Sequence, residues 1–153
     1  MSPHARAAVD SKGTNGMATR RQEERIDVGR ISISHPHRVL DPAGVTKLEL
    51  AKYYDAVGER MLPHVKGRPL SLVRWSEKRE PDKGGIFLRH ANAWGPSALR
   101  RVKIQEKTKV GEYLVVDDVA GLVALAQMDI LELHRVHVPP RGRMTAFFSA
   151  VLA

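Results

Sequence analysis

The chain has 153 residues, enough for one domain, and its 27% charged and 42% apolar content is that of a globular sequence, not a disordered one. It has no cysteine, which excludes disulfides and thiolate metal sites; it also has no apolar run long enough to span a bilayer and no apolar signal core in its first 30 residues, all of which fits a cytoplasmic protein. The formal charge is +8, and residues 31–153 hold 19 Lys and Arg against 13 Asp and Glu, a basic excess that either attracts phosphate polymers or only solubilises the surface.

Residues 1–30, rich in Ser, Gly, Thr, Asn, Arg and Gln, read as a flexible tail or interdomain linker, with ordered structure expected from Ile31. Ile31 and Ile33 alternate with Ser32 and Ser34, the pattern of a short strand. A turn-rich stretch follows around Arg38-Val39-Leu40, punctuated by His35-Pro36 and Asp41-Pro42-Ala43-Gly44. Thr46-Lys47-Leu48-Glu49 is a capping box, and Leu50, Tyr54, Val57 and Met61 recur at helical spacing on one face. Pro63 and Gly67 are expected to end that helix.

Pro69 to Ser76 and Gly84 to His90 read as two strands of a hairpin around the charged loop Glu77–Lys83. Residues 98–109 carry five Lys and Arg against one acid, Glu106, which by themselves suggest a solvated loop. Glu112 to Val116 is a β run. Asp117 or Asp118 is placed to cap a buried helix from Val119 to about Met128, and Ile130 to His134 is a short strand. The apolar stretch Ala146–Ala153 fits a short helix, a strand or an unpartnered tail.

Several blocks, in order, resemble a known family. They are His35-Pro36-His37-Arg38-Val39-Leu40-Asp41-Pro42; Val45-Thr46-Lys47-Leu48-Glu49-Leu50 with Tyr53-Tyr54; Met61-Leu62-Pro63-His64; and Gly67-Arg68-Pro69-Leu70-Ser71-Leu72-Val73-Arg74. Ile86-Phe87-Leu88-Arg89-His90-Ala91, Tyr113-Leu114-Val115-Val116-Asp117-Asp118, Gly121-Leu122 and Leu131-Glu132-Leu133-His134 continue the series. Over residues 31–134 the chain resembles the N-terminal portion of the polymerase domain of bacterial ATP-dependent DNA ligase D. The resemblance implies a mixed α/β (α+β) fold of the archaeo-eukaryotic primase-like class, with an incomplete sheet flanked by helices. It implies nucleotidyl transfer at DNA ends during non-homologous end joining, in the bacterial cytoplasm at the nucleoid. The partners it implies are gapped or 5′-phosphorylated DNA ends, Ku and a ligase module. Mn2+ or Mg2+ and nucleoside triphosphates are expected for the complete family domain.

Carried over residue by residue, the resemblance makes Arg38 and Lys47 the ligands of a DNA 5′-phosphate, although the loop between them is one residue shorter than in common members. Lys47 falls in a first helical turn, where free N–H groups favour an anion; the plain alternative is a solvated lysine. Phe87 matches one of two aromatics that stack on template bases, Ile86 replacing the other; otherwise a lone strand Phe fills a core. Arg100 or Arg101 matches a family arginine at the DNA backbone, and His134 a histidine near the incoming nucleotide. His134 and His137, three apart with no third ligand, make little case for a metal site. Asp117 and Asp118, adjacent on a strand end, point apart and suit capping better than metal binding.

The family's catalytic metals are held by an Asp-x-Asp strand after the Leu-His motif and by a later Asp. No Asp-x-Asp occurs in the chain, and residues 135–153, a divergent tail, contain no Asp or Glu. The reading is a truncated or frameshifted polymerase-domain fragment that binds DNA ends without catalysis. The alternatives are a non-catalytic DNA-binding or regulatory module, and an unrelated basic α/β domain.

Overall fold

The computed structural model describes residues 23–75, 84–90, 95–136 and 147–149. Order begins before Ile31. Arg25–Val28 forms strand β1 and pairs antiparallel with β2, Ile31–Ser34, in the register Val28↔Ile31. This corrects the reading of residues 25–30 as tail. The two-residue connection opens with Gly29 at φ +56°, a conformation that glycine reaches without a Cβ penalty and that matches hairpin twist.

Helix α1, Lys47–Val65, starts at the expected capping box: Thr46 accepts from the Glu49 N–H, and the Glu49 carboxylate accepts from the Thr46 N–H at 2.8 Å. Pro63 does not end it; the helix runs on to Val65. A proline so close to the C-terminus disturbs only the last turn, and Gly67 at φ +69° follows as the turn residue. Leu50, Tyr54 and Met61 are buried as the periodicity predicts.

The sheet has the strand order β5-β6-β3-β7-β8, with β4 also pairing β3. Its strands are β3 Pro69–Arg74, β4 Ile86–Leu88, β5 Arg100–Gln105, β6 Val110–Val115, β7 Ile130–Val136 and β8 Phe147–Ser149. β3 and β4 form the expected hairpin, pairing Val73 with Phe87 and Arg74 with Ile86. The loop expected at Glu77–Lys83 and the histidine at 137 lie outside the described residues. Residues 100–105 are not a solvated loop. They pair along their whole length with β6, because Val102 and Ile104 supply enough apolar surface for a rim strand while Arg100 and Lys103 stay in solvent.

Helix α2, Val119–Gln127, is capped by Asp118, which accepts from the Gly121 N–H at 2.8 Å. It is apolar nearly all round, and residues 121–126 are all buried between α1, β2 and β7. Leu70, Leu72, Leu114 and Leu133 join α1 and α2 in one core on one sheet face. The Tyr54 hydroxyl is buried and donates to the Ile130 carbonyl at 2.9 Å, pinning α1 to the start of β7; burial pushes its ionisation well above the usual phenol range. Among the described residues no helix is long and apolar enough to cross a membrane.

Candidate functional site

The site lies where the end of β3, the start of β7 and the first turn of α1 meet. The chain leaves β2 through a turn in which the Arg38 N–H donates to the His35 carbonyl at 3.0 Å. The carbonyls of Arg38 and Pro36 then accept from the N–H groups of Lys47 and Leu48, each at 2.9 Å. Two of the helix's first N–H groups are thereby satisfied by the same loop that carries Arg38, which sets Arg38 beside Lys47.

The third member comes from the α2–β7 turn. Asp129 adopts φ +62°, a left-handed conformation that Asp tolerates better than most residues, and reverses the chain. Its carbonyl accepts from the Trp75 N–H at 2.9 Å, which brings in the end of β3 and Arg74. The Asp129 side chain is 2% exposed. Its Oδ2 accepts from Nη2 of both Arg38 and Arg74, the latter at 3.3 Å, and its Oδ1 is 3.0 Å from Lys47 Nζ. Lys47 Nζ also donates to the Gln127 carbonyl at 3.0 Å. Gln127 is held in turn by Ser34, whose N–H donates to Gln127 Oε1 at 3.0 Å and whose hydroxyl accepts from Nε2 at 2.7 Å.

Arg38 and Lys47 are thus brought together, but not as an open cradle. Lys47 is 3% exposed and turns its ammonium inward, so the alternative of a solvated first-turn lysine does not hold. The reason is the carboxylate and carbonyl waiting beneath it at the end of α2. Burial lowers its pKa below the ordinary lysine value, Asp129 opposes that shift, and Arg38 and Arg74 reinforce it. The arginines lie nearer the surface, at 33% and 43% side-chain exposure. Three cations against one carboxylate leave two surplus positive charges. The Nε groups of Arg38 and Arg74 are buried and have no partner among the described residues. Such an arrangement attracts an anion to the two guanidinium groups, with the lysine as buried electrostatic backing.

Phe87 and Ile86 border this cluster, since they pair with Val73 and Arg74. Phe87 is 49% exposed, so the reading of a core-filling ring does not hold. His134 pairs with Ser71, and its ring meets Phe87 edge-on at 5.9 Å between centroids. Glu132 links the two neighbours on this face: its Oε1 accepts from the Trp75 indole at 3.2 Å, and its Oε2 lies 3.3 Å from His134 Nε2. The Ser71 hydroxyl is fully buried without a partner among the described residues.

Arg100 and Arg101 stand apart on the sheet's rim. Arg100 makes a two-pronged contact with Asp117 at 2.7 and 2.9 Å, and Arg101 reaches Glu112 at 3.3 Å. Asp117 is therefore spent on Arg100, which holds its carboxyl below the usual range, while Asp118 caps α2. Among the described residues no group of three His, Asp or Glu is placed to hold a metal ion.

Asp129 and the role of Arg74 escaped the sequence reading. The available signal was an acid at the junction of two apolar runs, Leu122–Met128 and Ile130–Leu133, in a place where a helix must turn into a strand.

The family profile described as the LigD primase-polymerase domain matches residues 46–145. The multifunctional non-homologous end joining protein LigD of Mycolicibacterium smegmatis is 33% identical over 106 residues, which are 69% of this chain and 14% of that protein. The corresponding LigD of Mycobacterium tuberculosis is 32% identical with the same coverage, so the chain spans a small fraction of these relatives. The solved polymerase domain from M. tuberculosis ligase D in complex with DNA superimposes with a TM-score of 0.61 at 30% identity, covering 76% of this chain and 42% of that one. With the mixed α+β fold already in view, these matches identify the chain as a member of the LigD primase-polymerase domain family.

Proposed function

We propose that the chain is the DNA-end-holding part of a LigD polymerase domain, serving non-homologous end joining, and that it grips a terminal 5′-phosphate without carrying out nucleotidyl transfer. The observation that carries this is the surplus of two positive charges around Asp129, supplied by Arg38, Lys47 and Arg74 beside the exposed ring of Phe87. A phosphate monoester near neutral pH carries up to two negative charges and three acceptor oxygens, which suits two half-exposed guanidinium groups. Phe87 would offer a stacking surface for a neighbouring base. The DNA-bound relative supports DNA as the partner class. Ku and a ligase module remain partners by family membership, as does a place in the bacterial cytoplasm at the nucleoid.

The test is fluorescence anisotropy on a recessed duplex with a 5′-phosphate or a 5′-hydroxyl. Charge-assisted hydrogen bonds make the phosphorylated end about tenfold or more tighter. Arg38→Ala should collapse that difference; equal affinity of the wild-type chain for both ends would sink the reading.

Catalysis is a separate matter. Two-metal phosphoryl transfer needs carboxylates that hold the divalent ions. The sequence has no Asp-x-Asp, and the carboxylates Asp117, Asp118 and Asp129 are committed to Arg100, a helix cap and the cationic cluster. The described residues do not fit Mn2+ or Mg2+. These 153 residues, given manganese, ribonucleotides and a primed template, should give no template-dependent extension; a product ladder on a sequencing gel would refute this.

A further inference from the structure

We propose that Asp129 is the positioning residue of the anion site: a buried carboxylate that aims Arg38 and Arg74 at an incoming phosphate and holds Lys47 beneath them. The inference rests on the end-binding reading above and adds a residue to it. Asp129 is almost wholly buried beneath the two arginines, so it does not meet the ligand itself. Its Oδ2 receives both guanidinium groups through Nη2, which fixes two long side chains, from the loop before α1 and from β3, on a single point. Among the described residues neither arginine's second terminal nitrogen has a hydrogen-bond partner, which leaves it for a ligand. Without that anchor the two groups repel, and each must give up side-chain freedom when an anion binds. The same carboxylate is the counter-charge of Lys47, whose only other acceptor among the described residues is the Gln127 carbonyl.

Charge and positioning predict different outcomes for one substitution. Asp129→Asn removes a negative charge from beneath the anion, so charge alone makes phosphate bind more tightly if Lys47 keeps its proton and equally well if Lys47 gives it up. Asparagine also suits the left-handed backbone and still accepts hydrogen bonds, so the turn is kept. If Asp129 works by orienting donors, affinity drops instead.

The experiment titrates the full chain and Asp129→Asn, at a temperature where both are folded, with inorganic phosphate by calorimetry and with recessed duplexes bearing 5′-phosphate or 5′-hydroxyl ends. Positioning predicts that phosphate binding weakens about tenfold in Asp129→Asn, from loss of aligned charge-assisted bonds, while affinity for the 5′-hydroxyl end is unchanged. A general loss of structure would weaken both ends alike and would overturn the proposal. So would unchanged or tighter phosphate binding, or no phosphate binding by either protein. If inorganic phosphate follows the prediction but the wild type ignores end phosphorylation, the positioning role stands and the DNA-end reading fails. Should Asp129→Asn not fold, Lys47→Met and Lys47→Met/Asp129→Asn are compared, the latter burying no charge. Weaker phosphate binding by the double variant supports positioning; equal or tighter binding overturns it.

Discussion

Asp129→Ala is expected to remove most of the chain's stability at pH 7. The substitution leaves the Lys47 ammonium buried with one carbonyl for company. The cheapest escape is loss of the proton, which at pH 7 costs about 4–5 kcal/mol for an amine with an ordinary pKa near 10.4. That agrees with the roughly 3–5 kcal/mol seen when one partner of a buried ion pair is deleted, and alanine in a left-handed conformation adds about 1 kcal/mol. Domains of this size are stable by only about 5–15 kcal/mol, so urea denaturation should show a midpoint near zero or a chain unfolded outright. The pH dependence has a definite sign. A folded variant that holds Lys47 neutral binds fewer protons than its unfolded state, so its stability rises with pH. The deficit against wild type therefore narrows steadily as pH rises from neutrality toward the unfolded lysine pKa of about 10. A variant within 1 kcal/mol of wild type, with no such trend, would mean that Lys47 is solvated.

Gly58→Leu should be the next most damaging change. A Cβ at position 58 would lie 2.7 and 2.9 Å from the two γ carbons of Val119, where α1 crosses the start of α2. For alanine, the clash with the stiff β-branched Val119 outweighs a helix-propensity gain of about 1 kcal/mol, so Gly58→Ala should already be mildly destabilising. Leucine has the same propensity gain but adds three more carbons to a closed contact, and overpacking of about 3 kcal/mol or more then wins. A shift of that size lowers the thermal midpoint by about 10 °C or more, readable by circular dichroism. A leucine variant as stable as wild type would show that the two helices are not in contact there.

What could be read in the sequence was what depends on near neighbours. The capping box at Thr46, the apolar face of α1 and the cap of α2 each lie within a few residues of the groups they satisfy. The strand Arg25–Val28 was also within reach, since Gly29 followed by Arg30 joins two alternating pairs, Ile26 and Val28 with Ile31 and Ile33. Four residues with two apolar members nonetheless look like tail by pattern alone. Arg100–Gln105 was hidden by its charge, which is how a rim strand looks when only one of its edges is paired. Arg38 and Lys47 were found through resemblance, whereas their carboxylate lies 91 and 82 residues away. No periodicity reports an ion pair at that separation; only the folded turn after α2 does.

The rim strand has one more consequence. Among the described residues the outer edge of Arg100–Gln105 is unpaired, and an open edge is a template on which another copy could extend the sheet. Arg100 and Lys103 stand exposed along it, and Lys107 and Lys109 crowd the adjoining turn. Two such margins approaching each other meet like charge at a range of about 10 Å in 0.1 M salt, before backbone groups can engage. The basic residues there act as a fence that keeps molecules from stacking laterally, whether or not they ever touch DNA.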